Sequence, residues 1–171
     1  MKKMWSPWRS VYIDSFNEKK KNECIFCDNK IQDFDKDESL LVFVGRNSFV
    51  VMNLYPYNNG HLMIVPNRHI NDFSLLLPDE KIEIFDLVDI SMKAMKESLR
   101  PHGFNFGIGK AAGAGIDEHI HFHIVPRWNG DTNFMPVLGE VKIISQELLE
   151  TRNKLRKSFN ELIGNINYGR K

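Results

Sequence analysis

HIHFHIVPRW, residues 119–128, places three of the chain's six histidines in five consecutive positions and fills the gaps with Ile120 and Phe122, with Ile124 following. In an extended strand, successive side chains point to opposite faces. His119, His121 and His123 then share one face, and Ile120, Phe122 and Ile124 share the other. Adjacent rings on such a face stand roughly 6–7 Å apart. A helix would also align His119 with His123, at i and i+4. The strand is preferred because β-branched and aromatic residues fill the gaps, and because Pro126 cannot continue a helix. The expected element is a strand anchored in a core by its apolar face, with its histidine face turned to an open pocket.

Working outward, LLVFVG (40–45) and SFVVMN (48–53) are apolar runs of strand length separated by Arg46-Asn47. HLMIVP (61–66) follows the turn-rich YPYNNG, and FNFGI (104–108) reads as a further strand. Between Pro78 and Leu99 the period changes. Ile82, Phe85, Val88 or Asp89, Met92, Met95 and Leu99 recur at three- and four-residue steps, which predicts an amphipathic helix with Pro78 in its first turn. Met92 and Met95 are assigned to its core side. KIISQELLETRNKLRKSFNEL (142–162) is a second helix candidate. The order strands, long helix, strands, helix favours an α+β fold with an antiparallel sheet over an alternating βαβ fold. The expected organisation is an N-terminal arm with a CxxC (1–37), a core (38–139), and a C-terminal helix and tail (140–171), together one structural domain.

The bulk composition excludes several classes. Hydrophobic content of 42% with 26% charged residues is that of a globular chain. A formal net charge of +1 argues against general attraction to nucleic acid or membrane. No apolar run spans a bilayer, and MKKMWSPWRS has lysines but no apolar stretch after them. The expectation is a cytoplasmic protein. The two cysteines sit together as Cys24-Ile25-Phe26-Cys27, so a secreted disulfide scaffold is excluded. They are half of a metal site or a redox pair.

The histidine face suggests phosphoryl chemistry. A neutral imidazole is a nucleophile near pH 7. Its nitrogen attacks phosphorus esters and anhydrides to give a covalent phosphoramidate, while a flanking imidazolium neutralises phosphate charge. Two alternatives compete: structural histidines satisfied in a core, and a His-x-His pair holding a catalytic zinc. Just upstream, GFNFGIGKAAGAGIDE (103–118) contains Gly107-x-Gly109-x-x-Ala112, a loose match to the dinucleotide fingerprint. That fingerprint requires a following helix, and here a strand follows. The P-loop pattern fails as well, since Phe104 lies five before Gly109 and Ala111 follows Lys110. What remains is a small-residue loop whose N–H groups could approach phosphate oxygens.

HIHFHIV resembles the signature of the histidine triad (HIT) family of nucleotide hydrolases and transferases, and GHLMIVPNRH (60–69) is similar to that family's other hallmark segment. PRWNGDTNFMP (126–136), AGAG (112–115) and WSPWR (5–9) are similar to its diadenosine tetraphosphate phosphorylase-like branch. The resemblance implies the HIT fold: an antiparallel sheet of about five strands, a long helix and a C-terminal helix, with a homodimer formed through the long helix and adjoining sheet. It implies His121 as nucleophile on the α-phosphate, His123 on the phosphates, His119 in support, and His61 as a further active-site histidine. Asn53 matches the position that holds ribose hydroxyls, and Trp128 a branch-typical aromatic near the nucleotide. Asn105, Gly113 and Gly115 of the glycine stretch complete the expected substrate-binding set. Related phosphorylase-like sequences carry an Asn in this stretch, where the present chain reads Gly107 or is two residues shorter. Gly115 stands where many hydrolase relatives have a polar residue. Phosphate and water therefore both stay open as acceptor.

A thioredoxin-like context for the CxxC is missing. Some relatives place a structural zinc on the positions corresponding to Cys24, Cys27, His69 and His119. Two thiolates and two imidazoles make a closed tetrahedral site. No organic cofactor is expected. The implied activity is cleavage of dinucleoside polyphosphates through a nucleotidyl-histidine, with adenine nucleotides and inorganic phosphate as partners, and neither nucleic acid nor membrane. The alternatives are a phosphoramidase of the same family, a zinc-dependent hydrolase using the three histidines, and a nucleotide sensor without turnover.

Overall fold

The computed structural model describes residues 24–28, 33–109, 116–131, 144 and 146–165. Among the described residues, five strands form one sheet: β1 (Leu41–Val44), β2 (Ser48–Met52), β3 (Leu62–Pro66), β4 (Gly103–Gly109) and β5 (His121–Arg127). The order is β1-β2-β3-β5-β4 and every neighbouring pair is antiparallel. Helix α1 (Pro78–Ser98) follows β3 after a short 3-10 turn, and α2 (Leu148–Asn165) follows β5. This is the α+β architecture with an antiparallel sheet that the histidine stretch and its flanks predict.

Both faces of the sheet are covered, which explains why β2 and β3 read as unbroken apolar runs. On one face, Val42, Val50, Met52, Leu62, Ile64, Phe122 and Ile124 pack with Ile84, Leu87, Ala94 and Met95 of α1 and with Leu155 and Phe159 of α2. On the other, Phe26 lies over Leu41, Phe49, Val51, Met63 and Val65. The alternation in β5 is as expected: Phe122 and Ile124 anchor the helix side.

Helix α1 is rotated from the expected stripe. Ile82 and Phe85 are exposed, and the buried series runs through Ile84, Leu87, Val88, Ser91, Ala94 and Met95. Two offset apolar series satisfy the same three- and four-residue spacing. The inner one contains Ser91 and Ala94, whose small side chains allow close approach to the sheet. Met95 is buried and Met92 packs partly against the core, as assigned. Glu80 closes the helix start by accepting the Leu77 N–H and two bonds from Arg68.

Helix α2 also begins later than expected, at Leu148. The Glu147 carboxylate accepts the N–H groups of Leu149 and Glu150 and so caps the first turn from outside the helix. Arg152 and Arg156 then donate to the carbonyls of Asp37, Ser39, Leu41 and Phe34, tying α2 to the segment before β1. Among the described residues, no helix is long and apolar enough to cross a membrane.

Candidate active site and metal centre

Strands β3 and β5 are neighbours, with Met63 opposite His123. Alternation therefore puts His61, Met63 and Val65 on the same face as His121 and His123. Gly107 and Gly109 of β4 lie opposite His123 and His121. The face is covered in part and stays open at Gly107, where a Cβ would meet nothing within 4 Å. Phe26 covers it at 5.2 Å from the His121 ring, and Tyr57 covers His61 at 4.8 Å. His121 is 0% exposed.

His119 contacts Phe26 as His121 does, with ring centroids at 5.5 Å and 5.2 Å. It precedes β5 in a bend, and its ring turns toward His69, with centroids 5.0 Å apart. What it gives the site is its carbonyl, which receives Nδ1–H of His121 at 2.8 Å. That bond places the proton of neutral His121 on Nδ1 and leaves the Nε2 lone pair available. His123 is set in the opposite sense. Nδ1 of His61 accepts the Tyr57 main-chain N–H at 3.1 Å, with Asn53 Nδ2 at 3.3 Å. His61 then carries its proton on Nε2 and donates it to Nδ1 of His123 at 2.8 Å. His123 must present Nε2–H. The two adjacent Nε2 atoms, one a lone pair and one an N–H, are both buried without a hydrogen-bond partner among the described residues.

Burial lowers the pKa of His121 against the opposing effect of its bond to the His119 carbonyl. Burial, with the charge of His121 adding to it, pulls His123 down to about 4. Both rings are therefore neutral near pH 7: a nucleophilic nitrogen stands beside a hydrogen-bond donor. Gly109 completes the site by having no side chain. A Cβ there would overlap Nε2 of both His121 and His123.

A second cluster lies beside this one. One ligand atom from each of Cys24, Cys27, His69 and His119 falls within 4.8 Å of the others. Nδ1 of His119 is 3.3 Å from Cys24 Sγ and 3.6 Å from Cys27 Sγ, and Nδ1 of His69 is 3.3 Å from Cys27 Sγ. A tetrahedral zinc with bonds of 2.0–2.3 Å has edges of about 3.6 Å, so the donor set and its spacing fit. Nε2–H of His119 donates to the Pro66 carbonyl at 2.9 Å, which frees Nδ1 as the ligand atom and fixes the ring. This cluster takes in one triad histidine, so the three do not converge on a single ion.

The remaining predicted residues fall differently. Asn53 is near His61, with Oδ1 accepting the Tyr55 N–H. Asn105 shares the histidine face but lies opposite Val125, where its Oδ1 accepts from Arg127 Nη1 at 2.6 Å. Trp128 donates Nε1–H to the Arg100 carbonyl beyond the end of β5. Gly113, Gly115 and the WSPWR segment lie outside the described residues. Sequence reasoning missed Tyr57, which acts through its main-chain N–H, and the close approach of Gly109. The only available signals were the turn-rich YPYNNG and the glycine spacing.

Comparison with known proteins agrees with this geometry. Residues 36–130 match the HIT domain profile. Over 161 residues the chain is 36% identical to the AP-4-A phosphorylase of Mycobacterium tuberculosis, covering 91% of this chain and 83% of that protein. It is 29% identical over 132 residues to the bis(5'-adenosyl)-triphosphatase of Dictyostelium discoideum, covering 72% and 88%. In fold it is similar to a Zn-bound histidine triad family protein from Mycobacterium smegmatis, at a TM-score of 0.65 and 23% identity over 84% of this chain and 97% of that one.

Proposed function

We propose, because this chain belongs to the histidine triad (HIT) family, that it is an enzyme cleaving dinucleoside polyphosphates at the α-phosphate through a nucleotidyl-histidine on His121. The observation that carries the reading is the pair of neighbouring Nε2 atoms, buried and unpartnered, whose tautomers are fixed in opposite senses by backbone groups.

In the first step the Nε2 lone pair of His121 attacks the α-phosphorus. The bond from that phosphorus to the bridging oxygen breaks, and the leaving nucleotide keeps the oxygen and the electron pair. Nε2–H of His123 donates to a phosphate oxygen as charge gathers there. The positive charge formed on His121 is spread over the ring and stabilised through Nδ1–H by the His119 carbonyl. An oxygen of the acceptor then attacks the same phosphorus and frees His121, so one difficult displacement becomes two. Phosphate as acceptor gives phosphorolysis and water gives hydrolysis. The name of the Mycobacterium tuberculosis relative, AP-4-A phosphorylase, favours phosphate.

Cys24, Cys27, His69 and His119 would hold zinc, which there would fasten the Cys24–Cys27 turn to the bend before β5. The exposed Ile82 and Phe85 of α1 adjoin the exposed Phe106 and Ile108 of β4. An apolar face of this kind suits association with a second copy of the chain. Incubation with diadenosine tetraphosphate, with and without inorganic phosphate, tests the reading. ADP plus ATP identifies phosphorolysis and AMP plus ATP identifies hydrolysis. No cleavage under either condition overturns it.

A further inference from the structure

His123 keeps its proton on the Nε2 side only while Nδ1 of His61 receives a hydrogen; the Tyr57 main-chain N–H supplies one at 3.1 Å, with Asn53 Nδ2 beside it at 3.3 Å. The position of that amide depends on the turn that carries it. The next two residues anchor this turn in different directions. Asn58 Nδ2 donates to the Pro126 carbonyl at 3.2 Å and to Asp131 Oδ2 at 2.9 Å, which fastens it to the end of β5. Asn59 is 6% exposed and reaches α2 and the residues before it: its Nδ2 donates to Gln146 Oε1 at 3.1 Å, and its Oδ1 at 3.1 Å shares the Thr151 hydroxyl hydrogen with the Glu147 carbonyl at 3.0 Å. Gly60 closes the turn at φ +77, a left-handed conformation suited to glycine.

We propose that Asn58 and Asn59 are positioning residues that determine which nitrogen of His123 carries the proton. Neither touches the reacting atoms. If the Tyr57 amide swings away, Nδ1 of His61 keeps only the longer contact to Asn53 Nδ2, and in part of the population it takes up the ring proton so that Nε2 becomes an acceptor. His123 then donates from Nδ1 and turns a lone pair, instead of N–H, toward the phosphate. One lost anchor thus reverses two rings. The inference gives α2 a part in the site, since Thr151 and Gln146 hold one of the two anchors. Its catalytic consequence rests on the proposed function, whereas the tautomer itself does not.

The test is long-range proton–nitrogen NMR of the imidazoles at neutral pH in the full chain, for wild type, Asn58→Ala and Thr151→Val. The expected wild-type spectrum shows His61 and His123 protonated on Nε2 and His121 on Nδ1. Each variant should move part of the His123 population to Nδ1–H while His121 stays unchanged. The kcat should fall by about tenfold or more, with KM little altered; a fully wrong tautomer in a hydrolase triad costs about 10⁴-fold. Thr151→Val removes only a hydroxyl at constant volume, so it supplies the answer if Asn58→Ala does not fold. Wild-type His123 protonated on Nδ1 overturns the proposal, as does a folded variant with lowered kcat and an unchanged tautomer. If wild type cleaves no dinucleoside polyphosphate, the proposed function fails and the spectra still decide this inference.

Discussion

Nε2 of His61 lies 2.8 Å from Nδ1 of His123, so a residue just before β3 sets the proton of a residue 62 positions later in β5. Together with the His119 carbonyl, this contact makes His121 and His123 chemically different although they are two residues apart on one strand. A lone pair and an N–H are presented by the same side-chain type because the groups around the two rings differ.

The first prediction concerns His121 itself. His121→Asn should lower kcat by roughly 10³-fold or more, as expected when the covalent nucleophile is lost. Nucleotide binding should persist in calorimetry. Acid-labile radiolabel from an α-phosphate-labelled substrate should appear on wild type after quenching and be missing from the variant. Substantial turnover by His121→Asn would remove His121 from the role.

Gly109→Ala tests the close approach of β4. The added methyl group would overlap both Nε2 atoms, so a neighbour must move. Overpacking of this kind costs about 1–3 kcal/mol, so the variant is expected to fold. A displacement of about an ångström at the reacting centre costs about 10²-fold in rate. A kcat equal to wild type would show that Gly109 does not border the reacting phosphorus.

Metal content gives the third test. One zinc per chain is expected, lost in the Cys24→Ala, Cys27→Ala double variant. Because His119 offers Nδ1 to that cluster and its carbonyl to His121, metal loss should reach the nucleophile. Removing support of this kind typically costs about tenfold to a hundredfold in activity or affinity. Elemental analysis and kcat are the two measurements. Metal-free wild-type protein with full activity would separate the clusters.

The pH dependence has a definite sign. Burial lowers the pKa of His121 from its ordinary 6.5, so the acid limb of kcat/KM should lie below pH 6.5. His123, pulled to about 4 when folded, has an ordinary value of 6.5. The unfolded chain therefore binds this proton first as pH falls. The stability associated with neutral His123 is complete above pH 6.5 and is lost progressively toward pH 4. In denaturant titrations, His123→Asn should flatten the stability decline across that window. An identical slope in wild type and variant would rule out His123 as its source.

The sheet was legible because period-2 alternation and strand length are written in residue types. The rotation of α1 was not, because Ile82 and Phe85 fit the same spacing as Ile84 and Leu87, and only packing selects between them. His121, His123 and His61 were legible as titratable rings in the right segments. The use of the His119 carbonyl was not, since a bend before β5 is a backbone event. Gly109 and the Tyr57 N–H were the least legible parts. The first acts by lacking atoms and the second by a group that nearly every residue carries. The Asn58 and Asn59 anchors, by contrast, depend on partners more than sixty positions away.

Among the described residues, strand β4 is last in the sheet, and it carries the exposed Phe106 and Ile108 within one strand's width of His121. Whatever braces that margin also steadies Gly109, against which the nucleophile rests. If two copies associate there, as proposed, self-assembly and turnover should rise and fall together on dilution, and the specific rate would record the protein's own concentration.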